Sequence, residues 1–500
     1  MLYVYCDSKK ETTREAFLDN NVTFTSHLII PEEDMPKRTK PDHLLSKLIT
    51  EFEEQGQLIN REYCEESYYI RLIQHYERQF QFDKALNLTD QAILLYKYKQ
   101  DFYLLKAKLL MASQQASIAL EVLDQAYAIS PMNPEIQFLK ARACALIQQF
   151  DDSLKIIMDL KCNIQKTDLP ELLLVEAFIY ETMKDFNKMF DTLRDALILN
   201  PNNHEALEQI WVSVEFSKKY EESIRLHQDI IDKNPYSYLA WYNLGHAYSC
   251  IGEYEAAVDA LEYSFLINQQ FEQGYLDCAE LCLQINMYEK ALQCYVDAND
   301  MFGPDAELVV YIAECLIKLN RHKEAKHKLQ KAIYHDPYNE EIFFYLAECF
   351  SYESNYQKAI KYYLNAIDLD EQREEFQAGI GKAYENLGNF KKAESHYKKA
   401  ATFGMEQSQY WTMLISFLLK RGEKVKAEKF LARADKYSFG ADLLYCKSAF
   451  YFMEGSRENA IECLEEALSE NPNLYAILYE ILPELKEDKD VQSMIRYFNI

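Results

Sequence analysis

The feature that most constrains this chain is a spacing. Small residues, aromatic residues and prolines return every 34 residues over most of its length. Counting from Tyr238, Trp241 is position 4, Leu244 and Gly245 are 7 and 8, Tyr248 is 11, Gly252 is 15 and Ala257 is 20. Counting from Ala306, Ala313, Ala325, Ala332 and Pro337 occupy positions 8, 20, 27 and 32. The unit from Glu340 has Leu346, Ala347, Tyr356, Ala359 and Ala366, and the unit from Glu374 has Gly381, Tyr384, Gly388, Phe390, Ala393 and Ala400. Pro131, Pro201, Pro235 and Pro472 fall at position 32 of further units. A period of this length marks an array, because one such unit cannot bury its apolar face alone and must stack on its neighbours.

A glycine inside a helix costs about 1 kcal/mol relative to alanine, so Gly245 in a helical stretch requires a compensating contact. Small residues at positions 8 and 20 supply one if two helices of the same unit touch there. Proline at 32 cannot continue the second helix and fixes the turn into the next unit. Only 12 Gly and 12 Pro in 500 residues leave few other breaks, against roughly 35 and 25 at average usage. The order W-x2-L-G-x2-Y, then A, then A and P, resembles the tetratricopeptide repeat. The resemblance implies an all-α fold, a right-handed superhelical solenoid of antiparallel helix pairs whose first helices line a concave face. Twelve units are expected, at 66–99, 100–133, 134–169, 170–203, 204–237, 238–271, 272–305, 306–339, 340–373, 374–407, 408–440 and 441–474. Several are degenerate; the fifth has Trp211 at the small position 8.

Residues 1–42 fall outside the pattern and read as a short N-terminal arm. LYVYC and VTFTSHLII within it are strand-like by β-branched and aromatic content, and PEEDMPKRTKPD has the prolines of a linker. Residues 43–65 read as an N-terminal capping helix, with Leu44, Leu45, Leu48, Ile49 and Phe52 along one face, and 475–500 as C-terminal capping helices broken at Pro483.

No P-loop, GxGxxG after a strand, HExxH or GxSxG occurs. The array leaves no segment large enough for an ordinary catalytic domain, so the expectation is a non-enzyme without cofactor or metal. Twelve cysteines form no CxxC pair. Cys278 and Cys282, one helical turn apart, read as buried apolar fillers rather than half of a metal site. Unpatterned thiols suit a reducing compartment. With no signal-like start and no run near the ~18 apolar residues of a membrane span, the chain reads as cytoplasmic. A net charge of −26 argues against a broad nucleic-acid surface.

Function must then come from binding, and positions 2, 5, 9 and 12 should line the concave face. Acids at position 2 are favoured by the helix dipole whatever the groove binds. At the other three positions of units four to ten, seven of 21 slots are glutamate, against 80 acids in 500 residues overall. The candidate groove comprises Glu208, Glu215, Tyr242, His246, Glu280, Glu314, Phe344, Glu348, Lys382 and Glu385, with Glu181 and the aromatic Phe178 nearby. The aromatic positions either contact a ligand or pack between adjacent first helices. Structural repeat positions are Trp241, Leu244, Gly245, Tyr248, Ala257, Ala325, Pro337, Ala359, Gly381 and Ala393. Tetratricopeptide modules that hold acidic chaperone tails use Lys and Asn where this chain has Tyr242 and His246, so that ligand is not expected. The reading is a scaffold or adaptor binding a basic or amphipathic peptide or partner protein. The alternatives are an RNA-binding helical-repeat protein and an accessory targeting subunit of an enzyme on a separate chain. One island opposes the overall charge: Lys382–Lys436 has twelve bases and six acids. It reads as a solvated convex surface, or as a contact for an anionic partner or for the acidic groove of another copy.

Overall fold

The computed structural model describes residues 43–55, 65–163, 165 and 167–498. The arm expected at 1–42 lies outside the described residues. Among those described there are helices and turns and no strand. A helix at His43–Gln55 places Leu48 and Phe52 in a cluster with Tyr69, Leu72 and Tyr76 of the first pair. Helix pairs follow, their first members beginning at Glu66, Gln100, Pro134, Leu169, His204, Tyr238, Glu272, Ala306, Glu340, Glu374, Ser408 and Ala441. After the last pair come helices at Ala476–Ile481 and Lys489–Phe498, each preceded by a short 3₁₀ turn that opens on a proline, Pro472 or Pro483.

The chain divides into two compact units, one ending at Gly274 and the other beginning at Tyr275. In both, the two helices of a pair pack on each other, the second packs on the first helix of the next pair, and successive first helices also touch. That direct contact puts the first helices on the inner side of each unit.

The contact within a pair depends on small residues. Ala257, Ala325, Ala359 and Ala393 are fully buried. A Cβ added at Gly245 would lie 2.7 Å from Leu261 Cγ and 3.1 Å from the Ala257 carbonyl oxygen. At Gly381 the space is taken by the Tyr397 ring, 2.7 Å from a Cβ, rather than by Ala393. Leu244 is buried and Tyr248 half-buried, while Pro337 stands exposed in the turn between pairs.

Trp211 is the exception. It takes the small position of the fifth pair and is itself buried. The helices of that pair, His204–Ser217 and Tyr220–Lys233, meet far less than those of the pairs on either side, from Leu169 and from Tyr238, and the first leans instead on Phe186–Leu199 before it.

Aromatic residues at position 4 tie the turns between pairs. Trp241 Nε1 donates to the Pro235 carbonyl at 2.9 Å, and Trp411 Nε1 donates to Met405 at 2.8 Å. Tyr103 Oη donates to the Lys97 carbonyl at 3.0 Å, also six residues upstream.

The turn inside each pair uses one left-handed residue. Glycine fills it at Gly252, Gly388, Gly422 and Gly455, but Phe80, Gln114, Gln148, Lys184, Lys218, Asn286, Asn320 and Ser354 adopt the same positive φ. Except at Lys218, the residue after it then donates back into the first helix, as Asp185 N does to the Tyr180 carbonyl at 2.9 Å and Glu253 N to Tyr248 at 3.0 Å. This is the hydrogen bonding of a Schellman cap.

Gly245→Ala should lower the melting temperature by the equivalent of about 1–3 kcal/mol, because a backbone carbonyl cannot step aside as a side chain can; unchanged melting would mean that the helices are not this close. Lys184 and Lys218 are exposed and make no hydrogen bond with their side chains among the described residues, so each carries the left-handed penalty without return. Lys184→Gly and Lys218→Gly should each stabilise by about 1 kcal/mol. Gly252→Ala, where the surroundings are open, should destabilise by a similar amount, and calorimetry of the three variants checks the signs.

Candidate interaction surface on the first helices

In the unit ending at Gly274, the first helices place their candidate residues in packing. Tyr242 and His246 are both buried, with ring centroids 4.5 Å apart, edge to face. His246 also lies 5.0 Å from the Trp211 ring, and Tyr242 lies 4.9 Å from Phe271. His246 is only 4% exposed, which corrects the expectation of an open or ligand-facing side chain. The correction has a local cause, since the bulky Trp211 presses against this face of the next first helix. Phe178 is buried too, with the Arg142 guanidinium 5.4 Å from its ring centre. Arg142 faces Glu205 at 3.6 Å and feels Glu181, which is itself buried. Glu208 is exposed, 3.2 Å from His204 Nδ1, and Glu215 is half-buried. Lys108 is paired with Glu135 at 2.8 Å.

In the unit beginning at Tyr275, carboxylates and phenols alternate. Tyr363 Oη donates to Glu348 Oε1, and Tyr397 Oη donates to Glu385 Oε2 at 2.6 Å. Both tyrosines belong to second helices and reach carboxylates on the first, so the Glu348 and Glu385 side chains are fixed from below. Tyr345 lies beside Glu314, and Tyr311 Oη donates to Glu307 Oε1 at 3.2 Å. The Tyr295 and Tyr311 rings stack at 5.2 Å. Burial pushes the Tyr295, Tyr311 and Tyr345 phenols well above their ordinary range; the next cause is the Cys315 thiol at Tyr295 and the surrounding carboxylates at Tyr311 and Tyr345. They therefore stay protonated. Desolvation raises the Glu341 carboxyl, with Arg373 at 3.4 Å opposing the rise. Arg373 also meets Glu375 at 3.2 Å.

Glu280, Glu314 and Glu348 are half-buried on three consecutive first helices, while Lys382, at the equivalent place on the next, is exposed. Phe344 packs on Phe376 of the following first helix at 5.2 Å and faces Tyr363 at 6.0 Å. Of the two roles open to the aromatic positions, packing between first helices is the one seen at Phe344. Sequence reasoning did not single out Tyr311 and Tyr345, which share position 6 in consecutive pairs. Their recurrence 34 residues apart, three residues before Glu314 and Glu348, was the available signal.

A carboxylate held by a phenol keeps its second oxygen for an outside donor. Such a surface accepts hydrogen bonds and positive charge from ammonium, guanidinium or amide groups. Cys278 and Cys282 are fully buried, and Cys278 Sγ lies 4.0 Å from Cys294 Sγ. Among the described residues no group of three or more His, Cys, Asp or Glu has an arrangement suited to a metal ion. No described helix is long and apolar enough to cross a membrane.

Two stretches, residues 228–259 and 346–408, match tetratricopeptide-repeat family models. Solved structures that align with the chain include yeast Tom70, 13% identical over 86% of this chain and 99% of that one, with a TM-score of 0.37. The APC/C hetero-tetramer Cut9–Hcn1 aligns at 12% identity over 81% of this chain and 96% of that one, with a TM-score of 0.36. YrrB, described as a TPR protein with an unusual peptide-binding site, aligns at 18% identity over 37% of this chain and 95% of its own, with a TM-score of 0.30. No curated protein matches the chain in sequence. The family matches fall on helix pairs of the kind that recurs from Glu66 to Glu470, and the chain is built of tetratricopeptide repeats.

Proposed function

We propose that this protein is a non-enzymatic adaptor that captures a basic or amphipathic segment of a partner protein along the acidic first-helix surface of the unit beginning at Tyr275. One observation carries the reading. Glu348 and Glu385 are each held by a tyrosine hydroxyl on the inner side of this unit, Glu314 lies beside Tyr345, and there are few bases among them. Pre-set acceptors lose less side-chain freedom on binding than mobile ones, which favours recognition of cations at fixed intervals. Equivalent residues of successive units are separated by roughly one helix-pair spacing, about three residues of extended peptide. A cytoplasmic location is part of the proposal, since the described cysteines are all free and most are buried.

The test uses neutralisation rather than reversal, because Tyr363 needs an acceptor and would otherwise be left unpaired in the core. Glu280→Gln, Glu314→Gln and Glu348→Gln combined keep the acceptor oxygens and remove three charges. Affinity for a fluorescein-labelled Lys/Leu amphipathic peptide, read by anisotropy, should fall about tenfold or more, and its salt dependence should flatten. The helical signal and melting temperature should hold. Undiminished, equally salt-sensitive binding by the triple variant would remove these glutamates from the binding surface.

A further inference from the structure

The second helices of four consecutive pairs have a charge opposite to that of the chain. His322–Ala332, Tyr356–Leu369, Phe390–Phe403 and Lys424–Ala434 together hold fourteen Lys and Arg against four Asp and Glu. Their partner first helices, Ala306–Lys318, Glu340–Tyr352, Glu374–Asn386 and Ser408–Lys420, hold three bases against eight acids. The band is bounded on both sides, since Tyr288–Phe302 and Arg457–Glu470 each have more acids than bases.

The positive charge is largely uncompensated. Of the fourteen bases only Lys326, Lys398 and Lys426 reach a carboxylate among the described residues, at Glu353, at Glu394, and at Glu394 and Glu423. Lys331, Lys391, Lys399 and Lys429 are exposed and have no such partner. Four repeats therefore have an acidic inner layer and a basic outer layer.

We infer that this basic layer docks on the acidic first-helix layer of a second copy of the same chain. Commensurate spacing is the argument. Lys391 repeats Lys323, and Lys399 repeats Lys331, at multiples of the 34-residue period; Glu307, Glu341 and Glu375 repeat at the same period on the other layer. The quoted lysines recur at every second repeat and the glutamates at every repeat, so the two rows can be matched at every second repeat at once, which an unrelated acidic chain cannot do. Thirteen of the fourteen bases are lysine, a compact hydrated charge without the planar fork that reads phosphate bidentately.

Each copy offers both layers, so the contact is heterologous and grows into an open chain unless a ring closes. Repulsion between two chains of net −26 acts at long range and is screened within about 8 Å at physiological salt. Contact pairs survive that screening, and association is weak and salt-sensitive. A partner held by the inner carboxylates competes with the second copy.

Sedimentation velocity of the full chain tests this over a range of concentrations. In low salt the weight-average mass should rise with concentration, and at about 0.5 M NaCl it should return to that of a monomer. Two variants separate the layers: Lys331→Gln, Lys391→Gln, Lys399→Gln and Lys429→Gln in one, and Glu307→Gln, Glu341→Gln and Glu375→Gln in the other. Each alone should remain monomeric while melting like the wild type. Mixed in equal amounts, they should form a heterodimer that grows no further, because each retains one intact layer. A wild type that stays monomeric in low salt overturns the inference, as does a mixture that fails to associate. Binding of RNA or anionic vesicles by a monomeric wild type would overturn it too and assign the lysines to phosphate. A wild type that stays monomeric leaves peptide capture by Glu280, Glu314 and Glu348 untouched, so the two proposals fail separately.

Discussion

The structure rests on how closely the two helices of a pair approach. At Gly245 the second helix leaves no room for a methyl group, and the buried alanines at 257, 325, 359 and 393 meet the same demand from the other side. Once the axes are that close, the large side chains must go around the contact. Tyr363 and Tyr397 do so by passing from the second helix to the first, and their hydroxyls emerge beneath Glu348 and Glu385. The acidic surface is thus a consequence of core packing: the residues that fill the core also hold the carboxylates.

The turns show the same economy of means. A left-handed residue reverses the chain inside each pair, and an aromatic hydrogen bond at position 4 anchors the turn between pairs at Tyr103, Trp241 and Trp411. These devices are local. Each needs only a few residues at fixed offsets, which is why the repeat tolerates wide variation elsewhere.

The helix-pair fold was legible because its determinants are small residues and prolines whose spacing survives in the sequence. The left-handed turns were only partly legible. Glycine signals them at Gly252 and Gly388, but Lys184 and Lys218 adopt the conformation without any compositional mark. The surface was harder still. Periodicity states which way Tyr242 and His246 point, but not how far the neighbouring helix covers them, and Trp211 and Phe271 cover them completely enough to make them core. Phe344 likewise points inward and is met by Phe376. Tyr311 and Tyr345 escaped notice because position 6 is not one of the conserved-looking small or aromatic positions of the motif, although their period was visible.

The wedge at Trp211 has a consequence for how the array unfolds. In a linear array, stability is the sum of what each repeat holds within itself and what it shares with its neighbours. Cooperativity passes along the chain only as well as its weakest junction permits. The pair at His204–Ser217 and Tyr220–Lys233 has little internal interface, so its second helix, Tyr220–Lys233, depends on Tyr238–Cys250 for most of its support. Such a junction is where one cooperative block ends and another begins. The array can open there by parting the two helices of a single repeat, with the repeats on either side still folded.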